Sequence, residues 1–160
     1  MKKRVLITGG AGFIAHHTIK HILNYTDWEI VSLDRLDYSG NLNRISDMMS
    51  EISKKDKRRL RVVHHDLRAE VNDMLAADLG KFNFILHMAA SSHVDRSITD
   101  PLTFVYDNVV ATCNILNFAR KSKNLELFIY FSTDEVFGPA PNKVKYKERD
   151  RYNSTNPYSA

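Results

Sequence analysis

The chain has 160 residues, of which 43% are hydrophobic and 26% charged, so it can bury one core and leaves no room for a second full domain. Its net charge of +4 at pH 7 comes mostly from the run "KKDKRRLR" at 54–61, which lacks the aromatic residues of a nucleic-acid site and is interpreted as a solvated helix end. "MKKRVLITGG" at the N-terminus and the lack of any window near ~18 apolar residues predict a cytoplasmic protein with neither signal peptide nor membrane partner.

Strand-like runs alternate with stretches of helical periodicity along the chain. The predicted strands cover residues 3–8, 29–34, 61–66, 82–88 and 125–132, and the predicted helices cover 13–23, 43–53, 70–79 and 101–122. Cys113, the single cysteine, falls in the apolar pattern of the last helix and is predicted to be a small core residue. Strands joined by crossover helices predict an α/β fold, a Rossmann-type doubly wound parallel sheet. Residues 133–160 are predicted to form a loop that approaches a further helix.

A glycine-rich turn follows the first predicted strand and opens the first helix. In "TGGAGFIA", residues 8–15, Gly9 and Gly12 have the spacing that lets backbone approach a pyrophosphate at a helix N-terminus, where N–H groups and the helix dipole favour anions. Phe13 and Ile14 begin that helix and belong to the predicted cofactor site, and Ala15 is small enough for close helix packing. The pattern predicts a dinucleotide site in preference to a tight structural turn.

Two acids end predicted strands. Asp34 ends the second strand, about 20 residues after the glycine turn, where an acid accepts hydrogen bonds from the hydroxyls of the adenine ribose. It would repel a 2′-phosphate, so NAD is the predicted cofactor, although the adjacent Arg35 keeps NADP open as the alternative. Asp66, followed by Leu67, ends the third strand and is predicted to meet the adenine amino group. The other interpretation of Asp66 is a strand-end cap.

The end of the fourth predicted strand is a further part of the cofactor site. The residues predicted to cover the dinucleotide with side chains and backbone are Met88, Ala89, Ala90 and Ser91. Packing at the strand end is the alternative for this segment. His87 and His93 flank it, but no acid or cysteine stands at ligand spacing, so hydrogen-bonded or packed histidines are expected and no metal site is predicted.

Four stretches carry a resemblance to a known family. The spacing T-G-x-x-G-x-x-[G/A] in the glycine turn resembles the extended, nucleotide-sugar-modifying branch of the short-chain dehydrogenase/reductase superfamily. "HMAASSHVDRSI" (87–98), "STDEVFG" (132–138) and "NPYSA" (156–160) resemble segments of the nucleoside-diphosphate-glucose 4,6-dehydratases, the last being the start of a Tyr-x-x-x-Lys motif. The resemblance covers the whole chain but only the first half of such an enzyme. It implies an incomplete NAD-binding Rossmann domain over residues 1–160, without the last strands of the sheet or the substrate domain.

The resemblance implies a lyase that converts dTDP- or UDP-glucose to the 4-keto-6-deoxy sugar, and that is a homodimer when full length. Tyr158, which would also contact the cofactor, deprotonates the sugar 4-hydroxyl while hydride leaves C4 for NAD. Glu135 then removes the C5 proton, Asp134 protonates the departing 6-hydroxyl, and hydride returns to C6. Thr133 hydrogen-bonds the sugar O4, and Ser92 is a further substrate contact. Adjacent carboxylates suit a β-elimination, because one can act as base and the other as acid when their environments hold their pKa values apart.

The chain departs from the family pattern at several positions. Ser91 stands where the dehydratases have an acid, Asp107 and Ala111 stand where they have Thr and Gly, and Ala15 replaces a third glycine. The lysine of the Tyr-x-x-x-Lys motif would fall beyond Ala160, so the 160-residue chain is expected to be inactive alone.

The sequence leaves two alternative functions open. A related 4-epimerase or decarboxylase is the first alternative, and the acid pair argues against it. A non-catalytic NAD-binding fragment is the second.

Overall fold

A parallel five-stranded sheet forms the centre of the computed structural model, which describes residues 2–141 and 144–160. The strands are β1 (Arg4–Thr8), β2 (Glu29–Asp34), β3 (Leu60–His64), β4 (Phe84–His87) and β5 (Leu127–Tyr130), in the order β3-β2-β1-β4-β5. Every pairing between neighbouring strands is parallel. The predicted Rossmann-type fold class is confirmed. The strand order reverses at β1, and ligands of open α/β sheets bind in the crevice at such a switch point.

Helices cover both faces of the sheet. Their bounds are α1 (Phe13–Tyr25), α2 (Leu42–Ser50), α3 (Lys54–Lys57), α4 (Asp73–Leu79), α5 (Val94–Thr99), α6 (Pro101–Phe104) and α7 (Ala111–Lys121). A π-helical segment, Val105–Val110, joins α6 to α7, so residues 101–121 form the long continuous helix that the sequence predicts. A short 3₁₀ helix, Asp134–Phe137, follows β5.

The core has two layers, one on each face of the sheet. Val5 and Ile7 of β1 pack on one face with residues of α1 and α2, whereas Leu6 packs on the other face with residues of α4 and α7. This alternation is the period of a β-strand, whose successive side chains point to opposite faces. All three side chains are fully buried. The loop that follows β1, at the switch point, therefore starts from a strand that is packed on both sides.

Several predicted elements differ from the structure in extent. Strands β3, β4 and β5 are shorter than predicted, so Asp66 lies in the loop beyond β3 rather than at the end of the strand. The sequence patterns did not predict α3 and α5. The basic run at 54–61 forms α3 and the start of β3, and its Arg59 donates hydrogen bonds to the backbone carbonyls of Trp28 and Leu23. Within residues 2–141 and 144–160, no helix combines the length and apolar character needed to cross a membrane.

The prediction that Cys113 is a core residue is wrong, because its side chain is exposed. The buried face of α7 carries Ala111, Ile115 and Phe118, at the three- and four-residue spacing of one helix face, and Cys113 lies on the opposite face. Phe13 and Ile14, which are predicted for the cofactor site, begin α1 and are exposed, since the buried stripe of that helix begins only at Ala15. The error at Cys113 concerns the phase of a helix rather than its existence.

Candidate functional site

The glycine turn after β1 packs directly against the loop after β4. Gly9 has φ +70°, a conformation that side-chain-bearing residues rarely adopt, and a Cβ placed on it would lie 2.8 Å from Cα of Ala89. Gly12 is the N-cap of α1 and supplies no side-chain hydrogen bond to the first turn of that helix. The N-terminus of α1 therefore presents backbone N–H groups without a side-chain cap, which is the arrangement that binds phosphates in dinucleotide folds.

A buried hydrogen-bond chain fixes the loop after β4. The Thr8 hydroxyl oxygen accepts from the backbone N–H groups of Met88 and Ala89, each at 3.1 Å, and lies 2.7 Å from Nδ1 of His87. Since both lone pairs of the Thr8 oxygen are then used, its own hydrogen is directed to Nδ1, and Nε2–H of His87 donates to Thr112 at 3.0 Å. Burial lowers the pKa of His87 to about 4, so the ring is neutral at neutral pH.

Asp34 joins the end of β2 to the glycine turn. Its Oδ2 accepts from the backbone N–H of Ala11 at 2.9 Å, and its Oδ1 accepts from the N–H of Leu36 at 2.8 Å. Asp34 is only 7% exposed to solvent, yet it lines the cleft beside Gly9 and Gly12. A carboxylate has about four lone-pair sites, so each oxygen retains capacity for a hydroxyl donor. The position predicted for the ribose acceptor is thus held rigidly.

One cleft at the switch point brings most of the predicted cofactor residues together. The predicted residues on its walls are Gly9, Gly12, Asp34, Arg35, Asp66, Leu67, Met88, Ala89, Ala90 and Ser91. Phe13, Ile14 and Tyr158 are not on these walls. The Asp66 carboxylate accepts from the backbone N–H of Arg68 at 2.9 Å and so shapes the turn below the cleft.

A buried carboxylate, Asp107, closes one end of the cleft with a cluster of donors. Arg35 donates to both of its oxygens at 2.5 and 2.8 Å, Arg68 donates at 2.6 Å and the Ser91 hydroxyl donates at 2.5 Å. Burial opposes ionisation of Asp107, but the hydrogen bonds from Arg35, Arg68 and Ser91 outweigh it and lower the pKa to about 2. The hydrogen bond with Asp107 in turn raises the pKa of Arg35 above its ordinary value. Four charged or polar groups therefore form one compact unit.

The predicted catalytic Thr133 and Tyr158 line a second cavity next to the first cleft. Ala90 lies on the walls of both. Asn108, from the π-helical segment, pairs with the backbone of Ser91 through hydrogen bonds of 2.8 and 2.9 Å, and its amide also lies 3.4 Å from the carbonyl of Tyr158. One side chain thus connects the loop over the cofactor cleft to the turn that carries the tyrosine.

The acid pair lies just beyond β5, in the 3₁₀ helix. The Thr133 hydroxyl oxygen accepts from the N–H of Glu135 at 3.3 Å and caps this helix. Glu135 is half-buried, and its Oε2 accepts from the side-chain amide of the buried Asn156 at 3.1 Å, whereas Asp134 is exposed and lies 3.4 Å from the Thr133 hydroxyl. Among the described residues, the walls of the second cavity include neither carboxylate, nor the exposed Ser92. The two acids occupy different environments.

Sequence reasoning missed the residues that hold the site in place. Thr8 lies inside the quoted glycine motif, but only the sheet shows that its hydroxyl reaches the loop after β4. Asn156 opens "NPYSA", a stretch that resembles the family, and Asn108 follows Asp107, one of the departures from the family pattern. Nothing in the sequence around Arg68 indicates a role in the site, because its hydrogen-bond partner Asp107 is far away in the chain.

A doubly wound parallel sheet with a glycine turn at its switch point and an acid ending β2 defines a protein with a dinucleotide-binding fold. The comparison with family models narrows this class: the model described as GDP-mannose 4,6 dehydratase matches residues 6–160, and the chain belongs to that family.

Individual relatives point the same way. The chain is 36% identical to the dTDP-glucose 4,6-dehydratase of Salmonella typhimurium, over 98% of this chain and 46% of that protein, and 36% identical to the dTDP-D-glucose 4,6-dehydratase of Mus musculus, over 99% and 42%. It therefore spans less than half the length of the curated relatives it matches.

Solved structures resemble the backbone closely. A dTDP-glucose 4,6-dehydratase from Streptomyces venezuelae, solved with NAD bound, superposes with a TM-score of 0.84 at 34% identity, covering 98% of this chain and 47% of that one. The UDP-Glc/GlcNAc 4-epimerase from Campylobacter jejuni gives a TM-score of 0.83 at 30% identity, covering 98% and 45%. Since both enzymes fit the backbone almost equally well, the side chains must distinguish between the two reactions.

Proposed function

We propose that this chain is the NAD-binding half of a nucleotide-sugar 4,6-dehydratase that acts on an NDP-glucose, either dTDP- or UDP-glucose. The observation that carries the proposal is the pair Asp134 and Glu135, adjacent in sequence, just beyond a parallel strand and unequal in exposure. Elimination of water across a C–C bond needs one group that removes a proton and another that protonates the leaving hydroxyl. The dehydratases among its relatives support the same reaction.

The cleft fits a dinucleotide. The uncapped N-terminus of α1 beside Gly9 and Gly12 suits the pyrophosphate, and the buried Asp34 suits the adenine ribose hydroxyls. The carboxylate of Asp34 would also repel a 2′-phosphate, so the cofactor is NAD rather than NADP. When bound, NAD would accept a hydride from C4 of the sugar and return it to C6.

Tyr158 and Thr133 are proposed to act on the sugar 4-hydroxyl. They line the same cavity, which meets the cofactor cleft at Ala90. Tyr158 would take the hydroxyl proton, and Thr133 would hydrogen-bond O4. Ser92 is kept as a proposed substrate contact, although it is exposed and lies on the loop after β4.

The two acids are proposed to divide the elimination between them. The Asn156 amide orients Glu135 for removal of the C5 proton, which the neighbouring ketone makes more acidic. Asp134, exposed at the start of the 3₁₀ helix, would deliver a proton to the departing 6-hydroxyl. A 4-epimerase reaction, the alternative suggested by the similarity to the Campylobacter jejuni enzyme, has no leaving group and needs no such acid.

Mass spectrometry distinguishes these reactions. The product of the whole reading frame that encodes these residues is incubated with NAD and, in turn, dTDP-, UDP-, CDP- and GDP-glucose. A 4,6-dehydratase yields a product lighter by one water. A product of unchanged mass that chromatography separates from the substrate would indicate an epimerase, and conversion of neither dTDP- nor UDP-glucose would contradict the proposal. The wild-type reading-frame product beside its Asp134→Asn variant gives the matched control.

Two further proposals concern the protein in the cell. The full-length protein is a homodimer, which sedimentation of the whole reading-frame product would test, and it is cytoplasmic, which fractionation of the source cells would test. A monomer, or recovery with the membrane fraction, would contradict them.

A further inference from the structure

The Asp107 cluster places two arginines at the end of the cofactor cleft where the adenosine is proposed to bind. Arg35 directly follows Asp34, the proposed ribose acceptor, and lines the cleft together with Asp107 and Ser91. The same three residues also line an adjoining cavity that contains Arg68. Arg35 therefore lies on the wall that the 2′ position of an adenine ribose would face, and Arg68 lies in the cavity beside it.

An arginine next to the acid that ends β2 is the residue type that holds the 2′-phosphate of NADP in dinucleotide folds. Here that arginine is not available for the role, because Asp107 takes two of its hydrogen bonds and Asp37 accepts a further one from Nε at 2.6 Å. Arg68 is bound to Asp107 as well. The cleft and the adjoining cavity thus contain the cations of an NADP site, but the hydrogen bonds of these cations are directed to a protein carboxylate.

We propose that Asp107 is a specificity-determining residue, whose buried carboxylate occupies Arg35 and Arg68 and so makes the cleft select NAD over NADP. This inference rests on the proposed dinucleotide site and adds a second determinant to Asp34. The carboxylate excludes a 2′-phosphate in two ways: it repels the phosphate charge, and it holds the donors that would otherwise bind it.

The position of the carboxylate also suggests how the cluster can be rearranged. The Ser91 hydroxyl lies 2.5 Å from the Asp107 carboxylate. A glutamate at position 91 would thus bring a carboxylate to the same arginines from the opposite side.

The test uses the whole reading-frame product and compares NAD and NADP affinities by calorimetry for the wild type and for Asp107→Asn, which keeps the side-chain volume and removes the charge. Arg35 and Arg68 are partly exposed, so they can turn to solvent, and circular dichroism checks that the variant is folded. The ratio of NADP to NAD affinity is expected to rise about tenfold or more, the size of a gained charge-assisted hydrogen bond. A purely structural role would lower both affinities together.

Two further variants complete the design. The double variant Ser91→Glu with Asp107→Thr keeps a carboxylate in the cluster, so its NADP to NAD ratio is expected to return towards that of the wild type. Asp27→Asn removes an exposed acid at the opposite, amino-terminal edge of the sheet and is expected to leave the ratio unchanged.

The outcomes separate this inference from the proposed function. A folded wild-type product of the whole reading frame that binds neither dinucleotide overturns both. A wild-type chain that binds NAD, with an unchanged ratio in folded Asp107→Asn, overturns this inference alone. If Asp107→Asn does not fold, the ratio in the double variant and in Arg68→Gln decides: the inference requires no gain of NADP affinity in either variant, and a gain in either one overturns it.

Discussion

The side-chain amide of Asn156 donates a hydrogen bond of 3.1 Å to Oε2 of Glu135, from a position that is almost completely buried. Asn156 also accepts from the backbone N–H and the hydroxyl of Ser159, so its orientation is fixed by its own turn. Phe137, at the other end of the 3₁₀ helix, contacts the rings of Tyr146 and Tyr152. The C-terminal segment therefore positions the proposed base, while the neighbouring Asp134 stays in solvent.

The pair Asn156 and Glu135 gives a prediction about pH dependence. In the whole reading-frame product, Asn156→Asp would place a second carboxylate beside Glu135, and like charges at this distance raise the pKa of one of them. The base then needs a higher pH to be ionised, so we expect the acidic limb of the kcat profile to move to higher pH. Asn153→Asp, an exposed neighbour, serves as control. An unmoved limb in Asn156→Asp would show that Glu135 is not the titrating base.

Asp134 gives a prediction about rate. Asp134→Asn in the same enzyme removes the proposed general acid and leaves the cofactor cleft untouched, because Asp134 is not on its walls. We expect turnover to fall by ~10²–10⁴-fold, the usual contribution of a general acid, while NAD affinity measured by calorimetry stays the same. Full turnover in the variant would mean that another group protonates the leaving hydroxyl.

Thr8 gives a prediction about stability. Thr8→Val keeps the shape of the side chain but leaves the N–H groups of Met88 and Ala89 without their acceptor. We expect a loss of about 1–3 kcal/mol in the free energy of unfolding, measured with denaturant, together with weaker NAD binding. Thr18→Val is the matched control, since that hydroxyl only bonds a carbonyl one turn back in α1. Equal stability of Thr8→Val and wild type would contradict the role assigned to this hydroxyl.

His87 gives a prediction about acid sensitivity. Its pKa is lowered from 6.5 to about 4 in the folded chain, so the unfolded chain binds more protons between these values. Stability is therefore complete above pH 6.5 and is lost as the pH falls towards 4, by at most about 1.4 kcal/mol per pH unit. The pKa of Asp107 is lowered from 3.8 to about 2, so protonation of this carboxylate reduces the free energy of unfolding further as the pH falls through that range.

Denaturant unfolding at a series of pH values measures this effect. His87→Gln cannot titrate, so its stability is expected to change less between pH 6.5 and 4 than that of the wild type. His21→Gln, at an exposed position of α1, is expected to follow the wild type. Parallel curves for His87→Gln and wild type would refute the assignment.

Local patterns were sufficient to predict the sheet, the glycine turn and Asp34. The glycine turn and the end of β2 are short-range features, because a few neighbouring residues determine their backbone conformation and their spacing along the chain. The Asp107 cluster was not predictable in this way, because Arg35, Arg68 and Ser91 reach it from three different loops. A single sequence does not show which distant charges the fold will pair.

The error at Cys113 has a similar cause. Residues 101–121 form one helix, as predicted, but the π-helical segment at Val105–Val110 uses more residues per turn than an α-helix. The phase of every later residue shifts with it, so the periodicity read through the whole helix places Cys113 on the wrong face. The same segment positions Asp107 and Asn108 at the two cavities.

The central claim is that an internal hydride transfer accompanies loss of water at the site formed by these residues. Its most direct test supplies the whole reading-frame product and NAD with NDP-glucose that carries deuterium at C4, and locates the label in the product by NMR. The account predicts a 4-keto-6-deoxy sugar with the deuterium at C6. Deuterium still at C4 of a sugar that has kept its 6-hydroxyl would contradict the account.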